Sequence, residues 1–220
     1  MSIDTYAKLQ ADIADTIDRA DLTADVSAAG STIEGAIKRA IRKCEIRTQR
    51  TLRVRQFETS TNLAFTANTA TYSLPADFAS ARLLRLSQDP VVVLEQTTLE
   101  DLYTEFPSAA TGQPQKFALT GSSIVVRPTP DGAYTVPLTY YQTITALSDT
   151  NTSNTLLTLA PDLYLYGSCV ELMAHMMEDS RIQTWMQLYN EAIRLINEDD
   201  ATAKWNGVLM QSALPVQIVV

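Results

Sequence analysis

The hydrophobic period of this chain changes twice, and that change constrains the fold more than any other feature. In residues 2–50 apolar side chains recur every three or four positions, the period of a helix with one buried face. In residues 52–148 they alternate with polar ones or form short runs bounded by turn residues, as strands do. From 149 to 203 the helical period returns, and 204–220 end in an extended, β-branched tail. Helices on both sides of a β region predict an α+β fold. The N-terminal helices (1–51) and a C-terminal helical hairpin (149–203) are expected to complete one bundle. A small, mostly antiparallel β-rich insert (52–148) projects from it, and 204–220 form an extended C-terminal tail.

The details follow from local signals. In residues 2–20, Ile3, Tyr6, Ala7, Leu9, Ala14 and Ile17 mark one side of a first helix. Ser31-Thr32-Ile33-Glu34 has the form of a capping box, which predicts a second helix from Ser31 to about Arg50. Its apolar stripe is Ile33, Ala36, Ile37, Ala40, Ile41 and Cys44. Strand-like runs occupy 57–65, 71–74, 82–87, 91–94, 116–119, 123–127 and 134–143, separated by Pro75, Asp89-Pro90, Gly121-Ser122 and the Pro128–Gly132 stretch. Residues 98–106 read as one inserted short helix. Pro161-Asp162 opens a third helix, because Pro suits a first turn and Asp suits the positive end of the dipole. Leu165, Cys169, Leu172, Met173, Met176 and Met177 form its stripe, and Asp179-Ser180 breaks it. A fourth helix carries Ile182, Trp185, Met186, Tyr189, Ile193 and Ile196 and is expected to fray near Asp199-Asp200.

Much chemistry is excluded. The single histidine, His175, rules out multi-histidine metal sites and leaves no base for a Ser-His-Asp arrangement beyond one mid-helix side chain. The seven glycines form no phosphate-cradling loop. Cys44 and Cys169 stand far apart at apolar helix positions, where a cysteine acts as a small buried hydrophobe; reduced thiols and assembly in a cytosol are expected. Glu198-Asp199-Asp200 reads as a solvated helix end. The methionines at 173, 176 and 177 read as core, with a partner-helix face as the alternative. Met1-Ser2-Ile3-Asp4 opens into a polar helix with no signal-peptide character, and no run approaches the ~18 apolar residues of a membrane span. Asn151-Thr152-Ser153 is a chance sequon. No catalytic, cofactor-binding or metal-ligating residue is expected.

Two features remain. The formal net charge is −8, yet residues 38–55 hold Lys38, Arg39, Arg42, Lys43, Arg47, Arg50, Arg53 and Arg55, eight of the 17 basic residues, with Glu45 the single acid. Most of those on the helix fall opposite its apolar stripe. Such a face can be solvated or internally paired, can meet an acidic surface of a neighbouring protein, or can touch DNA phosphate. The acidic C-terminal helices supply complementary charge, and a basic and an acidic face on one subunit favour a head-to-tail ring. Arg39, Lys43, Arg47 and Arg50 are therefore candidate interface residues. The second feature is the tail, where Leu214, Val216, Ile218 and Val220 can add as a strand to the sheet edge of a neighbour or pack on their own domain.

The residues between these features resemble a known family. Tyr72-Ser73-Leu74-Pro75-Ala76-Asp77-Phe78 followed by Arg82-Leu83-Leu84 is similar to a "Y-x-LP-x-DF" segment of head-to-tail adaptor proteins of tailed bacteriophages. The stretch from Ile124 through Pro128-Thr129-Pro130-Asp131-Gly132 to Leu138-Thr139-Tyr140-Tyr141 resembles their hairpin, and Leu159 to Gly167 with Trp185 and Tyr189 resembles their C-terminal helical pair. The resemblance spans about 30–200, in order, and points to the tail tubular protein A and tail accessory factor types. It implies a non-enzymatic ring, usually of twelve subunits, in the virion neck. The ring docks beneath the portal protein, carries a downstream tail or nozzle protein, and lines the channel through which genomic DNA passes without sequence-specific binding. It implies that the helical part and the C-terminal extension engage the portal. The alternatives are another neck or tail structural protein, such as a head-completion or tail-terminator subunit, and a DNA-binding module using the basic helix.

Overall fold

A computed structural model of the protein describes residues 3–18, 22, 26–28, 31–33, 35–108, 110–176 and 181–205. The elements are, in chain order, α1 (Tyr6–Ile17), β1 (Val26–Ala28), β2 (Ser31–Ile33), α2 (Ala36–Thr51), β3 (Glu58–Phe65), β4 (Thr71–Ser73), β5 (Phe78–Leu86), β6 (Val92–Val93), β7 (Glu95–Gln96), α3 (Leu99–Glu105), β8 (Thr111–Gly112), β9 (Lys116–Thr120), β10 (Ser123–Arg127), β11 (Thr129–Pro130), β12 (Tyr134–Gln142), α4 (Thr155–Leu159), α5 (Pro161–Met176) and α6 (Ile182–Trp205). The α+β class read from the sequence is the class found. The chain divides into two compact units, Met1–Lys8 with Glu45–Leu159, and Leu9–Cys44 with Ala160–Val220.

The first unit is built on two four-stranded sheets. One runs β3-β12-β5-β6, all antiparallel; the other runs β4-β10-β9-β7, with β7 parallel to β9. Their apolar side chains meet in one cluster that includes Phe65, Leu84, Leu86, Phe117, Ile124, Val126, Val136, Leu138 and Tyr140. The burial pattern explains why the period is clean in some strands and lost in others. In β12, Val136, Leu138 and Tyr140 are buried while Pro137 and Thr139 are only partly so, giving the alternation of a sheet with one core face. In β10, Ile124, Val125 and Val126 are all buried, because Val125 faces away from the main cluster. It packs with Leu102 of α3 and Ala118 of β9, with Leu99 and Phe106 against them. The helix that the sequence places at 98–106 thus covers the second face of the smaller sheet. Thr98 caps it, its hydroxyl accepting the Asp101 backbone N–H at 3.1 Å. Gly121 opens the two-residue turn between β9 and β10 with φ +56°, as the first position of such a hairpin turn favours.

The second unit is helical, with a short β1–β2 hairpin. Leu9, Ile13, Ala14 and Ile17 bury one face of α1, which ends where Asp18 takes a left-handed conformation at φ 57° and donates its N–H to the Asp15 carbonyl. Ile37, Ala40, Ile41 and Cys44 are buried on α2; Leu163, Tyr164, Cys169, Val170, Leu172 and Met173 on α5; Trp185, Tyr189 and Ala192 on α6. α5 and α6 pack on each other. They meet α2 at Gly167, where an added Cβ would collide with Cys44 Sγ and lie 2.9 Å from the Tyr189 ring. The Cys44 thiol sits 3.8 Å from the Leu163 carbonyl. Both cysteines are free and buried, as their apolar positions implied, and burial pushes the Cys169 thiol up to about 12.

Three expectations are corrected. Ser31, Thr32 and Ile33 do not open α2: they pair with Ala28, Ser27 and Val26 as β2, and the helix begins at Ala36. The Ser-Thr-Ile run is β-prone, and a second strand close by lets it satisfy its backbone in a ladder rather than a cap. The fourth helix does not fray at Asp199-Asp200; it continues to Trp205, and Asp200 is buried rather than at a solvated end. The first helix after residue 149 does not open at Pro161: a further short helix, α4, precedes it, and its Leu156 and Leu157 are buried.

Candidate interaction surfaces

The residues of the Tyr72–Phe78 and Ile124–Tyr141 segments singled out in the sequence converge in the β unit. Tyr72 of β4 stacks on Phe65 of β3 with ring centroids 4.1 Å apart, and its hydroxyl donates to the Thr69 carbonyl at 2.7 Å. Asp77, just ahead of β5, accepts a hydrogen bond from the Tyr140 hydroxyl of β12 at 2.9 Å. Phe78 lies beside the Tyr140 ring at 5.6 Å. Burial, then the Asp77 carboxylate, raises the Tyr140 pKa above its ordinary value. Asp131 accepts from the Tyr134 hydroxyl at 2.6 Å, which ties the turn to the start of β12. These contacts join neighbouring strands and turns. None is arranged around an open space where a substrate could react.

The β unit also holds a cavity of about 140 Å³, lined by Phe57, Gln142, Ile144, Asn151, Asn154 and neighbouring threonines and serine. Its lining consists of amides, hydroxyls and apolar groups, and none of those side chains titrates. A general acid or base cannot come from it. Among the described residues no group of three or more His, Cys, Asp or Glu side chains could hold a metal ion. No helix among them is long and apolar enough to cross a membrane. The side chain of His175 lies outside the described residues, as do those of Met176 and Met177.

The basic residues divide by exposure. Arg42, Lys43 and Arg50 are exposed on α2, while Lys38, Arg39 and Arg47 are half-buried. Lys38, Arg39, Arg42 and Arg47 each have a partner within the chain. Arg39 and Lys43 line a small recess with Ala36, Ala40, Glu171 and Leu172. Arg53 turns back on the helix end, donating to the Leu52 carbonyl at 2.9 Å and to that of Gln49, so it serves as a C-terminal cap. Glu45, the single acid of the segment, is buried and accepts the Leu147 N–H at 2.8 Å. The charge pattern could not reveal that role, because a buried carboxylate and an exposed one look alike in sequence. The tail residues Leu214, Val216, Ile218 and Val220 lie outside the described residues.

Large apolar side chains are exposed at Ile46 on α2, Leu83, Val91, Val93 and Tyr103 in the β unit, and Leu188 and Leu195 on α6. Tyr103 carries the Arg127 guanidinium over its ring at 5.5 Å. The molecule therefore presents surfaces suited to contact with other proteins and no catalytic constellation among the described residues. No curated protein matches the chain. A family model, that of the SU10 adaptor protein, matches residues 4–212. That match covers nearly the whole chain and includes both the β unit and the helices, so the chain belongs to the SU10 adaptor protein family of phage head-to-tail adaptors.

Proposed function

We propose that this protein is the subunit of a ring in the virion neck, twelve copies docked beneath the portal protein and joining the capsid to the tail. The observation that supports this reading is the family match over residues 4–212, which takes in both the β unit and the helices. The ring lines the channel through which genomic DNA leaves, and the net charge of −8 suits a wall that DNA slides past without being held. Its type is that of tail tubular protein A and the tail accessory factors. The N- and C-terminal helices form one bundle that faces the portal, and the β unit faces the downstream tail or nozzle protein. Arg39, Lys43, Arg47 and Arg50 belong to the subunit and portal interfaces. Leu214, Val216, Ile218 and Val220 add as a strand to the portal. The protein acts as a structural component, with no enzymatic step, and assembles in the host cytoplasm.

Electron microscopy of the purified protein mixed with the portal from the same genome tests this. Rings stacked on the narrow end of the portal, lost when residues 214–220 are deleted, are the expected result. Rings that survive the deletion move the portal contact to the helices. No association sinks the neck-adaptor role. Salt-sensitive DNA binding lost in Arg39→Glu or Arg47→Glu would then favour a nucleic-acid module instead.

A further inference from the structure

The ring reading leaves open which surfaces of adjacent subunits meet, and the inference here rests on that reading. Ile46 sits on the outward side of α2 with 39% of its surface exposed. At ~100° per residue, Arg39, Arg42, Lys43 and Arg50 all fall within about 60° of it. The helix carries six basic residues and one acid, and that acid, Glu45, is buried away from this face. An apolar side chain thus stands in the middle of a cationic patch.

α6 presents the counterpart. Leu188 and Leu195, 38% and 51% exposed, are seven positions apart and lie nearly one above the other along the helix. Glu191 and Asp199 fall on the same stripe, within about 60° of Leu188 at ~100° per residue. Arg194 holds Glu191 and Glu198 in ion pairs from a position off this stripe. Three acids of α6 are exposed, Glu191, Glu198 and Asp199, against the exposed Arg194, so the rim remains negative. Ile37, Ala40 and Cys44 bury the opposite side of α2, whereas Trp185, Tyr189 and Ala192 bury the face of α6 that adjoins the Leu188–Leu195 stripe, which stands at the edge of that core.

We infer that the Ile46 face of α2 in one copy docks on the Leu188–Leu195 stripe of α6 in a second copy of this chain. The two surfaces match in sign and in pattern, a cation-rimmed apolar anchor against a carboxylate-rimmed apolar pair. Both are carried by every subunit, and they differ from one another. The contact is therefore head-to-tail rather than two-fold, and repetition builds a closed ring or an open chain. Desolvating Ile46 with Leu188 and Leu195 supplies the adhesive core, while Arg50 and Asp199 set the register and exclude the α2–α2 and α6–α6 pairings, which would bring like charges together.

The test is a double-cysteine variant, Ile46→Cys with Leu188→Cys, oxidised mildly at high protein concentration. The native Cys44 and Cys169 are buried and do not compete. A ladder of dimers, trimers and larger species on a denaturing gel is expected, whereas an equal mixture of the two single variants stops at dimers. In sedimentation velocity, Arg50→Glu and Asp199→Arg should each weaken self-association about tenfold, and the double charge swap should restore it to within about threefold. Self-linking of the Ile46→Cys variant, absence of a ladder, or charge variants that associate like the wild type would overturn the inference. Those results leave the neck-adaptor role standing, because that role is judged by the wild-type protein on the portal. A ladder with no portal binding has the reverse meaning.

Discussion

The two units are held together by different means. The β unit uses long, shaped side chains and a few polar ties: Phe65 on Tyr72, Phe78 on Tyr140, and the Tyr140 hydroxyl on Asp77. The helical unit depends on a point where a side chain is missing, at Gly167, which lets α2, α5 and α6 meet through Cys44 and Tyr189. Loss of a large group should therefore hurt the first unit most, and gain of a small one the second. Phe65 is 1% exposed and in contact with both sheets' core, so Phe65→Ala should cost about 3–5 kcal/mol in denaturant unfolding followed by circular dichroism. A cost below about 1 kcal/mol would mean that the cluster collapses around the gap and that the β unit is not limited by packing.

Gly167→Ala is the matching test on the helical side. At an unconstrained mid-helix position the change would gain about 1 kcal/mol from helix propensity. Here the new methyl overlaps Cys44 Sγ and a ring carbon of Tyr189 2.9 Å away, and overpacking of this kind costs about 1–3 kcal/mol. The expected net effect is a loss. Adding Cys44→Ala removes one of the two clashing groups, so the double variant should be more stable than the sum of the single effects. Trp185 is buried in the helical unit, and its emission reports the change there.

The contrast also explains what could be read from the sequence. β3, β10 and β12 were legible because alternation, apolar runs and turn residues all agree over five to nine residues. β7, β8 and β11 were not, since two-residue strands carry no period; β7 exists because the longer β9 offers its edge, and β8 and β11 pair with each other. Ser31 to Glu34 carried a helix signal that a neighbouring strand overrode. The basic face of α2 was visible as charge opposite an apolar stripe, and Arg42, Lys43 and Arg50 are indeed exposed. Gly167 was visible as a motif letter only, because a close approach between three helices is a tertiary fact. The exposed Ile46 was hidden for the opposite reason: a single apolar residue among cations has no periodic signature.

Alkaline pH sharpens the comparison further. Burial raises both folded-state pKa values: Tyr140 lies above its ordinary 10.0, and Cys169 is pushed up from 9.0 to about 12. The unfolded chain releases each proton first, so the stability these groups contribute is complete below their ordinary values and falls as pH rises above them. Cys169 should act from about pH 9 and Tyr140 from about pH 10, each with a limiting slope of about 1.4 kcal/mol per pH unit. Cys169→Ala should flatten the loss between pH 9 and 10, and Tyr140→Phe only the loss above 10. At neutral pH, Tyr140→Phe should cost about 1–2 kcal/mol, because it leaves Asp77 without its donor. Equal flattening by both variants at pH 9 would show that the thiol is less shielded than its burial implies.

The smallest effect belongs to the surface. Arg194 holds two ion pairs on α6, with Glu191 one turn before it and Glu198 one turn after. All three side chains are at least half exposed. In that setting water screens the charges, and the ordering of three long side chains offsets the attraction. Arg194→Ala should leave the thermal midpoint of the isolated protein within the scatter of repeat melts, despite removing two bridges at once. It also frees Glu191 and Glu198, which makes the α6 rim more negative. If that rim meets the cationic face of α2 in a second copy, the same substitution should tighten self-association at low salt, and the gain should vanish as ionic strength rises. A variant neutral in folding yet stronger in assembly would separate the two roles of charge in this chain; a variant neutral in both would confine the acidic face of α6 to solubility.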